Sequence, residues 1–83
     1  MTFVTMKNPG YCLFTTTPSE RVAIGLTDDQ QRVHLCVRDG KGWKVAHEWP
    51  VAEHSHTDVL LRLGRLATEP ASVDEMARVA TTA

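Results

Sequence analysis

Histidine and cysteine are the side chains in this sequence that most readily bind a metal ion, because zinc prefers imidazole and thiolate ligands. The spacing does not match a known zinc knuckle, since the chain has neither Cys-x-x-Cys nor two histidines separated by three residues. A metal-binding module therefore remains an alternative function, and no metal ligand or cofactor is assigned. The residues considered are Cys12, His34, Cys36, His47, His54 and His56.

The sequence contains no recognisable arrangement of side chains for covalent catalysis. Nucleophilic catalysis needs a nucleophile, a base and a group that orients the base, and no spacing in the chain suggests such a set. The hydroxyls of residues 15–17 belong to a segment typical of a β-strand, where threonine is common. Gly40 and Gly42 belong to a predicted hairpin rather than to a strand-to-helix phosphate loop. We expect a protein that is not an enzyme.

Basic residues form the clearest positive pattern. In residues 21–26 and 32–38 apolar residues occupy every second position, so we assign these to the buried face of each predicted strand. The remaining residues of each strand then belong to its outer face. Four fixed cations and one carboxylate then share the outer face, although the formal net charge of the whole chain is −1. Attraction for a partner must therefore be local. We predict that the outer face carries Arg21, Arg32, His34, Cys36, Arg38, Lys44 and Glu48.

This predicted basic face suits an acidic protein partner, because complementary charges favour association. Nucleic-acid binding on the same face is an alternative, but bases stack on exposed aromatic rings and the predicted outer face has none. We therefore predict a small protein–protein interaction module, a regulator, inhibitor or adaptor, that uses this face or a sheet edge. Its expected contact residues are Arg21, Arg32, His34, Arg38, Lys44 and Leu61, the last as an exposed leucine on a helix.

The strands that position these residues follow from periodicity and turn signals. Polar turn formers at residues 27–31 separate two alternating segments. Asp39-Gly40 favours a tight hairpin turn, and Pro50 cannot continue a strand ladder. Strict alternation in the last strand directs Trp43, Val45 and Trp49 toward the core. We predict strands at residues 11–17, 21–26, 32–38 and 43–49, and residues 2–6 add a fifth strand if they join the sheet.

After Pro50 the apolar pattern changes to the period of a helix. It predicts a helix over residues 57–67 with Ser55 or Thr57 as the N-cap. Ser72 and Glu75 have the spacing of a capping box, which predicts a second, short helix. The fold class is therefore α+β: an antiparallel meander of four or five strands followed by one or two C-terminal helices packed on one sheet face, as a two-layer sandwich.

Length and composition limit the remaining possibilities. The 83 residues form one small domain, 1–83, and a core of this size leaves self-association as a homodimer open. No apolar run is long enough to span a membrane, and the start has no export signal. Two cysteines are too few for a disulfide framework. We expect a cytoplasmic protein without a membrane partner.

Overall fold

Five antiparallel strands and two helices make up the fold in the computed structural model, which describes residues 2–82. Each strand pairs with the next along the chain, so the sheet order is the chain order. The α+β meander is therefore confirmed, and residues near the start do add a fifth strand. The elements are β1 Val4–Thr5, β2 Tyr11–Thr16, β3 Val22–Thr27, β4 Arg32–Asp39, β5 Gly42–Pro50, α1 His56–Gly64 and α2 Val73–Thr81.

Each turn of the two central hairpins contains one residue with positive φ. Gly40 has φ +60° between β4 and β5, which the Asp-Gly turn requires. In the preceding turn Gln30 has φ 58°. There the Asp29 carboxylate accepts hydrogen bonds from the Thr27 hydroxyl at 2.6 Å and the Gln31 amide at 3.0 Å. These local bonds set the pairing of β3 with β4.

The main core lies between one face of the sheet and the two helices. Alternate residues of β3 and β4 point to this face, as expected for strands covered on that side. Both helices bury an apolar stripe against them. The buried residues are Val22, Ile24, Val33, Leu35, Val59, Leu63, Met76, Ala77 and Ala80.

Serine side chains cap both helices. Ser55 accepts a hydrogen bond from the amide three residues later at 3.2 Å, and Ser72 does the same at 3.1 Å. These bonds satisfy amides that have no partner within the helix. The first helix covers His56–Gly64 rather than residues 57–67, and Gly64 favours this earlier end because glycine has low helix propensity.

A buried histidine joins the start of α1 to the sheet. The Nε2 atom of His56 lies 3.0 Å from the Thr15 hydroxyl oxygen, and its ring also hydrogen-bonds the carbonyl of Ile24. One ring nitrogen accepts and the other donates, as in a neutral imidazole. Burial lowers the pKa of His56 because the charged form would lose its hydration, although the Ile24 carbonyl acts in the opposite direction.

The free energy of unfolding is expected to decrease as the pH falls below about 6.5, the ordinary pKa of histidine. There the unfolded chain takes up a proton that folded His56 does not, which costs up to about 1.4 kcal/mol per pH unit. Urea unfolding of the wild type and His56→Gln from roughly pH 8 to roughly pH 5 tests this. The stability difference between the two proteins should shrink toward acid pH.

The control for this experiment is His34→Gln, which leaves His56 in place and should keep the acid-dependent loss. A stability difference between the wild type and His56→Gln that stays constant across the pH range would contradict a neutral, buried His56. The pH dependence of stability comes from the difference in bound protons between the folded and unfolded chains, so equilibrium unfolding is the experiment that measures it.

Candidate functional site

The helices cover one face of the sheet, and the opposite face, called the open face below, has no helix packed on it among residues 2–82. A second, smaller apolar cluster lies on this side, with Phe14 almost fully buried at 1% exposure. The strand registers assign residues of β2 to β5 to it. They include Tyr11, Phe14, Ala23, Gly25, Arg32, His34, Cys36, Arg38, Trp43, Val45 and Glu48.

A β-bulge in β5 decides which of its side chains reach the open face. On β4, Leu35 pairs with His47. The next residue, Cys36, pairs with Val45, so Ala46 is an extra residue in β5. An extra residue shifts the alternation of all following side chains by one position. Odd-numbered residues of β5 therefore face the open side before the bulge and the helix side after it.

The bulge makes three predicted side-chain directions wrong. Trp43 and Val45 were expected to point toward the helices by strict alternation. Instead, Trp43 pairs with Arg38 on the open face, and Val45 lies there with 43% of its surface exposed. Lys44 pairs with Val37, which places it on the helix side of the sheet. The predicted position of Lys44 on the outer face is therefore wrong.

An aromatic cluster occupies the middle of the open face, so the expectation of a face without aromatic rings is wrong. The ring centroids of Tyr11 and Phe14 are 5.1 Å apart, and those of Phe14 and Trp43 are 5.2 Å apart. A Cβ atom added to Gly25 would lie 2.6 Å from the Tyr11 ring. The sequence signal for this cluster is the pair of small outward residues, Ala23 and Gly25, which leave room for rings.

A line of hydrogen bonds runs beside the aromatic cluster. The His34 Nε2 atom lies 2.7 Å from the Glu48 carboxylate, and Nδ1 lies 2.8 Å from the Tyr11 hydroxyl. The Tyr11 oxygen is also 3.7 Å from the Cys36 sulfur. These contacts hold the Tyr11 ring over the sheet at both its apolar body and its polar tip.

Burial raises the pKa of two groups in this line of hydrogen bonds, Tyr11 and Cys36. It raises the pKa of Tyr11 well above the ordinary range, and Cys36 and Glu48 add smaller effects in the same direction. Burial also raises the pKa of the Cys36 thiol. Both groups therefore keep their protons at neutral pH, and a protonated thiol is a weak nucleophile. The arrangement orients side chains and does not activate either group.

Carboxylates accompany the cations of the open face, which overturns the predicted charge imbalance. The guanidinium of Arg32 lies 3.8 Å from Glu48, and that of Arg38 lies 3.8 Å from Glu20. Arg38 also lies 4.2 Å above the ring of Trp43. Both ion-pair distances exceed hydrogen-bond length, so these guanidiniums still have donors for a further carboxylate.

Arg21 and Leu61, both predicted to contact the partner, lie away from this cluster. Two nitrogens of the Arg21 guanidinium bond Oε1 of Glu69 at 2.8 and 3.1 Å. Glu69 lies between α1 and α2, so this pair joins the helix connection to the sheet. Leu61 is on the solvent side of α1 with 60% exposure. Of the six predicted contact residues, the open face brings together Arg32, His34 and Arg38.

The other histidines and the exposed cysteine lie in separate places. His54 Nδ1 is 3.3 Å from Arg62, and His47 Nε2 is 3.4 Å from Asp74. The sulfur of Cys12 bonds a backbone carbonyl at 3.4 Å. Between residues 2 and 82, no group of three or more histidine, cysteine, aspartate or glutamate residues is placed to hold a metal ion.

The two edges of the sheet are poorly suited to pairing with another strand. β1 offers two residues, whereas β5 offers nine. The longer edge contains the bulge at Ala46, the charge of Lys44 and a final proline, Pro50. Bulges, lysines and prolines all disfavour the addition of a strand. The open face is therefore the better candidate for docking.

In the part of the chain that the structure describes, neither helix has the length and apolar character needed to cross a lipid bilayer.

The chain was compared with protein-family models, curated proteins and solved structures, and none of them matches it. The function is therefore inferred from the geometry of the sheet and helices.

Proposed function

We propose that this protein is a non-enzymatic interaction module that binds a partner protein on its open face. The observation that carries the proposal is the placement of Tyr11, Arg38 and Trp43 together on the open face, which no helix of residues 2–82 covers. Tyrosine, tryptophan and arginine are the residue types that contribute most to binding energy at protein interfaces. Their convergence supports a docking role for this face.

The partner surface is expected to combine an apolar centre with acidic groups. Val45 offers exposed apolar area beside the half-buried ring of Trp43. Arg32 and Arg38 lie near carboxylates without a direct side-chain bond to them, since both separations are 3.8 Å. An incoming carboxylate could bond these guanidiniums directly, and such charge-assisted bonds are stronger than neutral ones.

The open face is already rigid, which favours tight association. Tyr11 is held by His34 at its hydroxyl and by Phe14 at its ring. The His34 ring is in turn held by Glu48. Side chains that are ordered before binding lose less entropy on association.

Nucleic acid is less well matched to this surface. Phe14 is buried, and Arg38 lies over Trp43, so neither ring offers a free face for a base. Glu20 and Glu48 would also lie near an approaching phosphate backbone. Stacking and phosphate neutralisation are the main sources of affinity for single strands, and this face provides little of either.

Photocrosslinking from two equally exposed positions tests the docking face. Val45 and Leu13 are each 43% exposed, but Val45 lies on the open face and Leu13 pairs with Leu26 on the helix side. A benzophenone amino acid at Val45 should yield a covalent adduct with one other protein in a lysate. The same group at Leu13 should yield none.

Charge reversal then tests the chemistry of the contact. The double change Arg32→Glu and Arg38→Glu should reduce the Val45 adduct about tenfold, equivalent to about 1.4 kcal/mol of binding free energy. Lys41→Glu with Lys44→Glu changes the charge equally, at one position in the β4–β5 turn and one on the helix side of the sheet, and should leave the adduct unchanged. Circular dichroism checks that all variants fold.

Three results would contradict the proposed function. Equal adducts from Val45 and Leu13 would show no preference for the open face. A crosslink that disappears after nuclease treatment would indicate nucleic acid as the partner. An adduct of twice the chain mass would show that a second copy of this protein, rather than a different protein, occupies the face.

A further inference from the structure

A second surface rich in arginine lies between the ends of α1 and α2, on the side of the sheet that the helices cover. It is a shallow groove of about 340 Å³, called the arginine groove below. Of the residues that the structure describes, three arginines and no acidic side chain line it. The lining residues are Arg62, Arg65, Leu66, Arg78, Val79 and Thr82.

One arginine of the groove has a structural role. Arg62 donates a hydrogen bond from Nη1 to the carbonyl of Ala80 at 3.0 Å, and the same atom lies 3.3 Å from His54. It therefore joins the end of α1 to the end of α2 and is held in place. Arg65 and Arg78 are both exposed, and neither forms an ion pair within residues 2–82.

The carbonyl groups at the ends of both helices have hydrogen-bond partners other than the Arg65 and Arg78 side chains. In α1 the backbone N–H of Arg65 bonds the carbonyls of Arg62 and Leu63. In α2 the hydroxyls of Thr81 and Thr82 already bond the carbonyls of the last turn, at 2.9 Å to Ala77 and 2.6 Å to Arg78. The partial negative charge at a helix end is about half a unit. Three guanidinium groups exceed the partial charges of two such ends, so the lining itself carries an excess of positive charge, although Asp58 and Asp74 lie one helical turn before Arg62 and Arg78.

Apolar surface accompanies this charge. Leu66 and Val79 are half-buried at the base of the groove and pack against the main core. Leu61 lies four residues before Arg65, the C-cap of α1, which places the two side chains beside each other at the end of this helix, and 60% of Leu61 is exposed. A ligand in this groove thus meets both cations and aliphatic side chains.

We propose that the arginine groove binds an acidic peptide segment of another protein, with its carboxylates on Arg65 and Arg78 and an apolar side chain on Leu66 and Val79. The planar guanidinium group matches a carboxylate with two parallel hydrogen bonds. A nucleic-acid strand fits less well, because the groove lining has no aromatic residue on which a base could stack. This proposal does not depend on the proposed function of the open face.

Fluorescence anisotropy with a defined probe tests the groove. The probe is a short fluorescein-labelled peptide in which leucines are flanked by glutamates, and the matched probe has glutamine at every glutamate. The glutamate peptide should bind the wild type and the glutamine peptide should not. Arg65→Gln with Arg78→Gln should weaken binding about tenfold, as expected for the loss of about 1.4 kcal/mol.

Lys41→Gln with Lys44→Gln is the matched control, because it removes the same charge from exposed positions elsewhere. Binding that this control weakens as much as the groove variant does would overturn the proposal, as would the absence of binding to the glutamate peptide. A labelled oligothymidine strand that binds more tightly than the peptide would assign the groove to nucleic acid instead. Loss of crosslinking at Val45 together with intact peptide binding would refute the open-face proposal alone.

Discussion

Replacing Phe14 by alanine is expected to lower the free energy of unfolding by about 3–5 kcal/mol, the usual cost of removing a fully buried phenyl ring. The ring is 1% exposed although it lies on the face without helices, because Tyr11 and Trp43 cover it. Urea unfolding monitored by circular dichroism measures the change. Domains of this kind have only about 5–15 kcal/mol in total, so the loss would be large.

Leu13→Ala is the matched control for this prediction, because Leu13 precedes Phe14 directly and is 43% exposed. Its cost should be smaller, about 1–2 kcal/mol, because only part of the Leu13 side chain is buried. If Phe14→Ala does not fold at all, Phe14→Leu gives a graded loss of about 1–2 kcal/mol. Equal costs for the two alanine variants would mean that the open-face cluster adds nothing to stability.

Leu63→Ala is expected to cost about 2–5 kcal/mol, because it removes a side chain that anchors α1 on the sheet. Leu63 has no exposed surface and packs with Val59, Met76 and residues of β3 and β4. Its loss would leave a cavity between the two layers of the fold. Thermal and urea unfolding of the purified variant measure the effect.

Leu61→Ala serves as the comparison on the same helix. Leu61 is 60% exposed, and surface substitutions usually change stability by no more than about 0.5 kcal/mol. The two leucines therefore have the same chemistry, but the expected costs differ severalfold. A large destabilisation by Leu61→Ala would show that its side is covered, as it would be in a self-associated form of the protein.

The two proposed surfaces differ in their chemistry and can be tested independently. The open face is built on β2 to β5 with aromatic rings and partly paired arginines, whereas the arginine groove lies at the helix ends. Reversing the charges of Arg32 and Arg38 should not affect the acidic peptide probe. Removing the charges of Arg65 and Arg78 should not affect crosslinking from Val45. An interaction module with two such surfaces could hold two segments of one partner or join two partners.

Local patterns along the chain were sufficient to predict most of the fold. The hairpin at Asp39-Gly40 and the helix caps at Ser55 and Ser72 depend on bonds between residues close in sequence. Alternation in β3 and β4 also placed Arg32, His34 and Arg38 on one face correctly, because these two strands pair without a shift in register.

The composition of the candidate sites depended on tertiary structure. Bulges near Cys12 and Ala46 brought Tyr11 and Trp43 to the open face and moved Lys44 away from it. A bulge is defined by two strands together, so alternation within one strand does not show it.

Which charged side chains lie together also depended on the tertiary structure. The sequence by itself determined the meander, its turns, its helix caps and the outward position of three basic residues, because each of these rests on local geometry. The pairing of Arg21 with Glu69 and of His34 with Glu48, and the groove that collects Arg62, Arg65 and Arg78, join residues far apart along the chain. Strand pairing brings His34 to Glu48, and the packing of the helices brings the other side chains together, because charge interactions depend on distance in space rather than on separation in sequence.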